Sequence, residues 1–246
     1  MAPNLIDFPK YFCSYQWEDK HNLFGYPDDS YEEFEWIASL EHRFAWVKTT
    51  GAAQKTASIY LLREMIQWGG SQNGTLQKLD DGLGEVNLQQ LVAAVVKSLH
   101  SPADAIGAAL DIPGMGLTYA SKLLRFFDPE SYGALDSRLR TRFESEKMQS
   151  ALPKKIYDGN RKSMIDGYVA FTKYLWGLRD QLDNHKILRP TCALLPGATP
   201  SQWRAADLEM ALFAWASPHS TGRLAASVNS NVMSHKESHN GNWKIR

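Results

Sequence analysis

The chain has 246 residues, 43% hydrophobic and 22% charged, with 27 basic side chains against 27 acidic ones. That length holds one compact domain or two small ones, and a net charge of zero argues against a protein that coats nucleic acid by bulk charge. No apolar run is long enough to cross a bilayer, and the start Met1-Ala2-Pro3-Asn4-Leu5-Ile6-Asp7 lacks the basic and apolar regions of a signal peptide.

Apolar residues recur at helical spacing along most of the chain, and strand patterns are short or absent, so the expected class is all-α. Tyr31 to Lys48 reads as a first helix, with Asp28, Asp29 and Ser30 as candidate caps. Gln54 to Trp68 follows and stops at Gly69-Gly70. Asn87 to Leu99, Pro102 to Leu110, Leu117 to Phe127, Leu135 to Lys147 and Ser163 to Leu182 continue the pattern. A linker from Arg189 to Pro200 leads to a last helix, Ser201 to Ala216. Residues 1–216 are read as the folded domain, and 217–246, polar and rich in Gly, Ser and Asn, as a mobile tail. Cys13 and Cys192 are far apart and form no CxxC pair, so they are read as reduced thiols in a cytoplasmic protein.

The most informative stretch runs Leu110-Asp111-Ile112-Pro113-Gly114-Met115-Gly116-Leu117-Thr118-Tyr119-Ala120. Pro113 ends the first helix, and Gly114 and Gly116 allow backbone angles and close approaches that side chains forbid. Ile112, Met115 and Ala120 would pin the turn to the core. The helix starting at Leu117 then aims its free amides and positive dipole end outward, where a phosphate fits. Eighteen positions after Thr118, Asp136 stands at the start of the next helix. It can cap that helix, act as a catalytic carboxylate, or do both. Between Lys122 and Lys162 ten Lys/Arg face six Asp/Glu, a local basic excess suited to DNA on a neutral protein, or an ordinary solvated face.

The turn together with Asp136 resembles the helix-hairpin-helix superfamily of DNA glycosylases. The resemblance is specific over about residues 100–145 and looser over 54–100 and 200–216, where the segment from Gln202 to Phe213 is similar to the closing helix of bacterial proteins with the 8-oxoguanine glycosylase fold. It implies a helix-hairpin-helix fold of two helical subdomains with a cleft between them. It further implies that Asp136 is the catalytic carboxylate, stabilising positive charge on the sugar as the base departs. Gly114, Gly116, Thr118, Lys122 and Arg138 would bind the DNA backbone, and the Leu110, Ile112 and Met115 carbonyls would be candidate ligands of a monovalent cation. Bifunctional members carry a lysine where this chain has Thr118, which cannot form a Schiff base. A monofunctional enzyme leaving an abasic site is therefore expected, with Lys122, one turn on, read as a phosphate or solvent contact rather than a nucleophile.

Such enzymes flip the target base out and plug the gap. The loop Trp68 to Thr75 resembles the plugging loop, with Gln72 and Asn73 as the wedge. Trp68, Tyr119, Trp203, Asp207 and Phe213 are pocket candidates, though aromatics of this kind equally build core. Two cysteines exclude the four-cysteine cluster of some members, and the seven histidines show no metal-ligand spacing. The expected partner is double-stranded DNA, the expected state a monomer without cofactor. The expected substrate is a hypermodified phage cytosine, such as glucosylated hydroxymethylcytosine, or an oxidised or alkylated base. A non-catalytic DNA-binding module and an interaction protein are the alternatives.

Overall fold

The computed structural model describes residues 2–15, 33–50, 55–191 and 202–217, which form ten α-helices and no β-strand among the described residues. The helices are α1 (Phe8–Cys13), α2 (Glu33–Thr50), α3 (Lys55–Trp68), α4 (Thr75–Gly82), α5 (Leu88–Ser98), α6 (Pro102–Leu110), α7 (Leu117–Phe127), α8 (Ser137–Ser145), α9 (Arg161–Asn184) and α10 (Ala205–Ala216). The spans read for α6 and α7 match the sequence reading, and those of α2, α3, α5, α8 and α9 shift by one or two residues at most ends. The closing helix starts at Ala205 rather than Ser201. The caps proposed at Asp28, Asp29 and Ser30, the linker from Cys192 and the tail beyond Ser217 lie outside the described residues.

Local chemistry sets the helix starts. Asn87, Ser101, Asp136 and Asn160 each sit in extended backbone and accept an amide of the first turn with the side chain. Pro102 follows Ser101 at the position where a missing N–H costs nothing. Helix α3 ends in a Schellman arrangement: Gly70 has φ +88°, its amide bonds to the Gln67 carbonyl, and the Ser71 amide reaches the Ile66 carbonyl.

Two helices form the centre. Ten of the eleven residues of α7 and eleven of the twelve of α10 are buried, so each is enclosed on all sides. Helix α7 packs against α2, α3 and α6, and α10 against α1, α8 and α9. Phe126 of α7 stacks on Phe44 of α2 at 5.4 Å and meets Trp68 of α3 edge-on at 5.1 Å. Buried apolar side chains from α1 to α10 make one contiguous cluster.

The structure corrects the reading of the cysteines. Cys13 is disulfide-bonded, not a free thiol, because separation along the sequence sets no distance in the fold. No described helix is long and apolar enough to cross a membrane.

Candidate active site

The turn between α6 and α7 uses its two glycines differently. Gly114 has φ +77°, and a Cβ there would stand 2.7 Å from the Thr75 carbonyl oxygen and 3.0 Å from the Leu79 amide of α4. Its lack of a side chain is demanded by conformation and by packing. Gly116 caps α7 in ordinary extended backbone (φ −81°, ψ 178°), is exposed, and has nothing within 4 Å of where a Cβ would stand. Neither backbone angle nor packing requires glycine there, and capping of α7 prefers it over alanine. No side chain caps α7, whose first turn includes the half-buried Thr118. Ile112 and Met115 are buried beneath the turn, and the Ile112 carbonyl accepts the Met115 amide at 3.1 Å.

Asp136 ends the loop that enters α8. It is 8% exposed and accepts the Leu139 amide at 2.8 Å. Burial pushes its carboxyl up, against the opposing pull of the Leu139 bond and of Lys122, Arg138 and Arg140. The loop is held from several sides. Tyr168 of α9 donates to the Gly133 carbonyl at 3.0 Å, and Ser121 of α7 accepts the Leu135 amide at 2.9 Å. Gly133 is where α10 comes closest: a Cβ there would lie 2.7 Å from both Glu209 Cβ and Leu175 Cδ1.

Lys122 departs from the sequence reading. It is 3% exposed and cannot lie along the outer face as a phosphate contact. It faces inward because α7 is enclosed on all sides. Its ammonium lies 5.0 Å from the Trp68 ring centre and 5.3 Å from that of Tyr119, with the Gly69 carbonyl at 3.4 Å. Trp68, Tyr119, Lys122 and Asp136, distant in sequence, thus belong to one region. Tyr119 also bolts the loop after α3 to α7: its hydroxyl donates to the Gly69 carbonyl at 3.2 Å and accepts the Gln72 amide at 2.8 Å. The side chains of Gln72 and Asn73 stand exposed on this loop, Asn73 in left-handed backbone at φ +58°.

Arg138 is half-buried. It donates to the Ser217 hydroxyl at 3.0 Å, and its guanidinium lies 4.6 Å above the ring centre of the buried Phe213. The surrounding basic excess is smaller than the sequence suggests. Lys122 and Arg125 are buried, and Arg140, Arg142, Arg161 and Lys162 pair with Asp158, Glu146, Asp111 and Asp166. A groove of about 530 Å³ beside the start of α9 carries Lys154, Lys155, Lys162 and Tyr157.

Two pocket candidates are core instead. Trp203 is 1% exposed, meets Phe8 and Phe12 edge-on, and donates its Nε1 hydrogen to the Ile187 carbonyl. It is the apolar anchor between α1 and the start of α10. Asp207 is 1% exposed and takes Arg204 at 2.7 Å and Arg189 at 2.8 Å. Burial alone would raise its carboxyl, but the two guanidinium groups outweigh that and hold it below the usual range.

Sequence reasoning missed Glu209, and it placed Arg125 with Lys122 as added charge for a phosphate, which its complete burial excludes. Arg125 is fully buried, with Glu41 of α2 at 3.0 Å and Glu209 at 3.9 Å. Glu41 in turn takes Arg204 at 2.7 Å, so a continuous charged network joins the two central helices. The available signal was a charge inside segments apolar all round, Lys122-Leu123-Leu124-Arg125-Phe126-Phe127 and Leu208-Glu209-Met210, which must be buried and therefore partnered.

Among the described residues no cluster of His, Cys, Asp and Glu could hold a metal ion. The arrangement presents a buried carboxylate within the field of a buried cation and, separately, a helix start that no side chain caps. Such a carboxylate can stabilise a neighbouring positive centre or take a proton from water. Searches of family models, curated proteins and solved structures return no match to the chain.

Proposed function

We propose that the chain is a monofunctional DNA N-glycosylase of the helix-hairpin-helix superfamily. It would bind double-stranded DNA over the 111–116 turn, flip out a modified base and release it through Asp136, leaving an abasic site. The observation that carries the reading is the pairing of two unlike features. Asp136 is a charged side chain kept 8% exposed next to Lys122, more burial than capping α8 requires. Close by in sequence, Gly116 lacks a side chain on an open face where the fold does not need glycine.

In this reading Asp136, ionised, faces the sugar and stabilises the charge that builds as the base leaves. The α7 amides and Thr118 hold a phosphate, Gly116 letting the strand come close. Gln72 or Asn73 fills the gap left by the flipped base, on a loop that Tyr119 keeps in register with α7. Trp68 and Tyr119, each 4% exposed, back Lys122 and the loop after α3 rather than line an open base pocket. Thr118 supplies no amine, and the Lys122 ammonium is held by two aromatic rings and the neighbouring carboxylates, so strand cleavage through a Schiff base is not expected.

The substrate class is a hypermodified cytosine of phage DNA or an oxidised or alkylated base. The test is incubation of the protein with phage DNA bearing glucosylated cytosines and with duplexes carrying oxidised or alkylated bases. Abasic sites are counted with an aldehyde-reactive probe. Signal on one class names the substrate; intact DNA binding without signal on any of them returns the chain to a non-catalytic binding module.

A further inference from the structure

The groove beside the start of α9 takes no part in the proposed chemistry. It measures about 530 Å³ and is lined by the 153–157 loop, the cap Asn160 and the first turns of α9. The loop is pinned in place. Ile156 is buried against α9 at Gly167, where a Cβ would stand 2.4 Å from the Ile156 side chain. The Tyr157 amide donates to the Ser163 hydroxyl at 3.0 Å, and the Asn160 amide to the Tyr157 carbonyl at 2.9 Å. With Ile156 turned inward, Lys154, Lys155 and Tyr157 stand exposed along the groove, Tyr157 at 61%.

The basic side chains here fall into two groups. Arg140, Arg161 and Lys162 are each paired, with Asp158, Asp111 and Asp166. Lys154 and Lys155 make no ion pair among the described residues. Lys162 and Asp166 cancel, so the groove keeps the charge of those two lysines on a chain whose net charge is zero. Two ammonium groups and an exposed phenol, carried on a fixed loop, are donors suited to phosphate oxygens.

The place of the groove in the fold says whose phosphates. Arg161, the first residue of α9, reaches the Asp111 carboxylate at 2.8 Å and the Gly107 carbonyl at 2.7 Å, which ties the groove to the start of the 111–116 turn. Arg140, four residues after Asp136, reaches Asp158 at 2.6 Å, which ties it to the first turn of α8. The groove therefore adjoins both elements that the proposed function sets on DNA. We propose that it is a second backbone-binding site for duplex DNA, with Lys154 and Lys155 as the cations for the phosphates and the Tyr157 hydroxyl as a hydrogen-bond donor. The site reads no sequence and lengthens the footprint beyond the flipped base. It rests on the DNA-binding part of the reading above, not on base release.

The experiment measures Kd for an unmodified duplex as a function of salt. It compares wild type, Lys154→Ala/Lys155→Ala and a control, Lys97→Ala/Lys173→Ala, which removes the same charge from α5 and the middle of α9. All four lysines are exposed, so urea unfolding should be alike in the three proteins. Each phosphate contact contributes about 0.9 to the slope of log affinity on log salt. The groove variant should lose about two from that slope and bind about tenfold more weakly at low salt. The control should keep the wild-type slope. Tyr157→Phe should weaken binding a few-fold with the slope unchanged, because its hydroxyl carries no charge.

A groove variant that binds with the slope and Kd of the control overturns the proposal, and base release by wild type then leaves the glycosylase reading standing. A slope lost in the groove variant supports the site, and does so even where no DNA yields abasic sites and the glycosylase reading fails. Absence of duplex binding by wild type overturns both.

Discussion

On the proposed function, the two turn glycines separate what the fold needs from what DNA needs. Gly114→Ala forces a side chain into left-handed backbone at φ +77°, against the Thr75 carbonyl and the Leu79 amide. The backbone conformation costs about 1 kcal/mol, and overlap with α4 backbone, which cannot swing aside, about 2 kcal/mol more. Together these lower the melting temperature by roughly 6–12 °C in a chain of this size. Gly116→Ala meets neither obstacle, having φ −81° and open space on all sides. Reduced unfolded-state entropy stabilises it by about 0.4–1 kcal/mol, and a weaker N-cap offsets a similar amount. Its stability should therefore stay within about 1 kcal/mol of wild type. DNA is where it should suffer. The added methyl keeps a phosphate from the α7 amides, and losing one charge-assisted hydrogen bond costs about 1.5–3 kcal/mol, at least tenfold in Kd. Urea unfolding and duplex binding at fixed salt measure both effects. Equal destabilisation by the two substitutions, or undiminished DNA affinity in Gly116→Ala, would refute the division of roles.

Two further expectations concern the buried charges. Asp207→Asn takes the carboxylate from Arg189 and leaves Arg204 with Glu41 alone, and should cost about 3 kcal/mol by urea unfolding. Because Asp207 is held below its unfolded value of 3.8, its contribution is present at neutral pH and lost in acid. The gap between wild type and variant should narrow below about pH 4, and a constant gap would show that the pairing is not electrostatic. Borohydride added during turnover should trap no covalent protein–DNA adduct, since position 118 is threonine and the Lys122 ammonium is enclosed; a trapped adduct lost in Lys122→Met would make Lys122 a nucleophile.

Much of the helical scaffold was legible in the sequence because long amphipathic segments carry their own period. Helices α6 and α7 could be bounded to the residue by Ser101-Pro102 at one end and the Asp128-Pro129 turn at the other. Helices α1 and α4 were not legible. Each is at most eight residues long with two buried residues, Phe8 and Phe12 in one, Thr75 and Leu79 in the other, too few to establish a period. Asp136 as the residue that opens α8, and the turn before α7, could be named from local pattern. Which charges lie inside could not, because burial depends on what packs against a helix from elsewhere in the chain. Lys122 looked like a surface cation until α3 covered it, and Asp207 like a pocket acid until Arg189 and Arg204 closed on it.

The most direct test of the central claim is Asp136→Asn. Asparagine can still cap α8 through the Leu139 amide, so the fold and duplex binding should persist. The account predicts wild-type Kd for DNA and loss of base release by at least 100-fold in single-turnover excision. Undiminished base release by Asp136→Asn would contradict it and leave Asp136 as a helix cap alone.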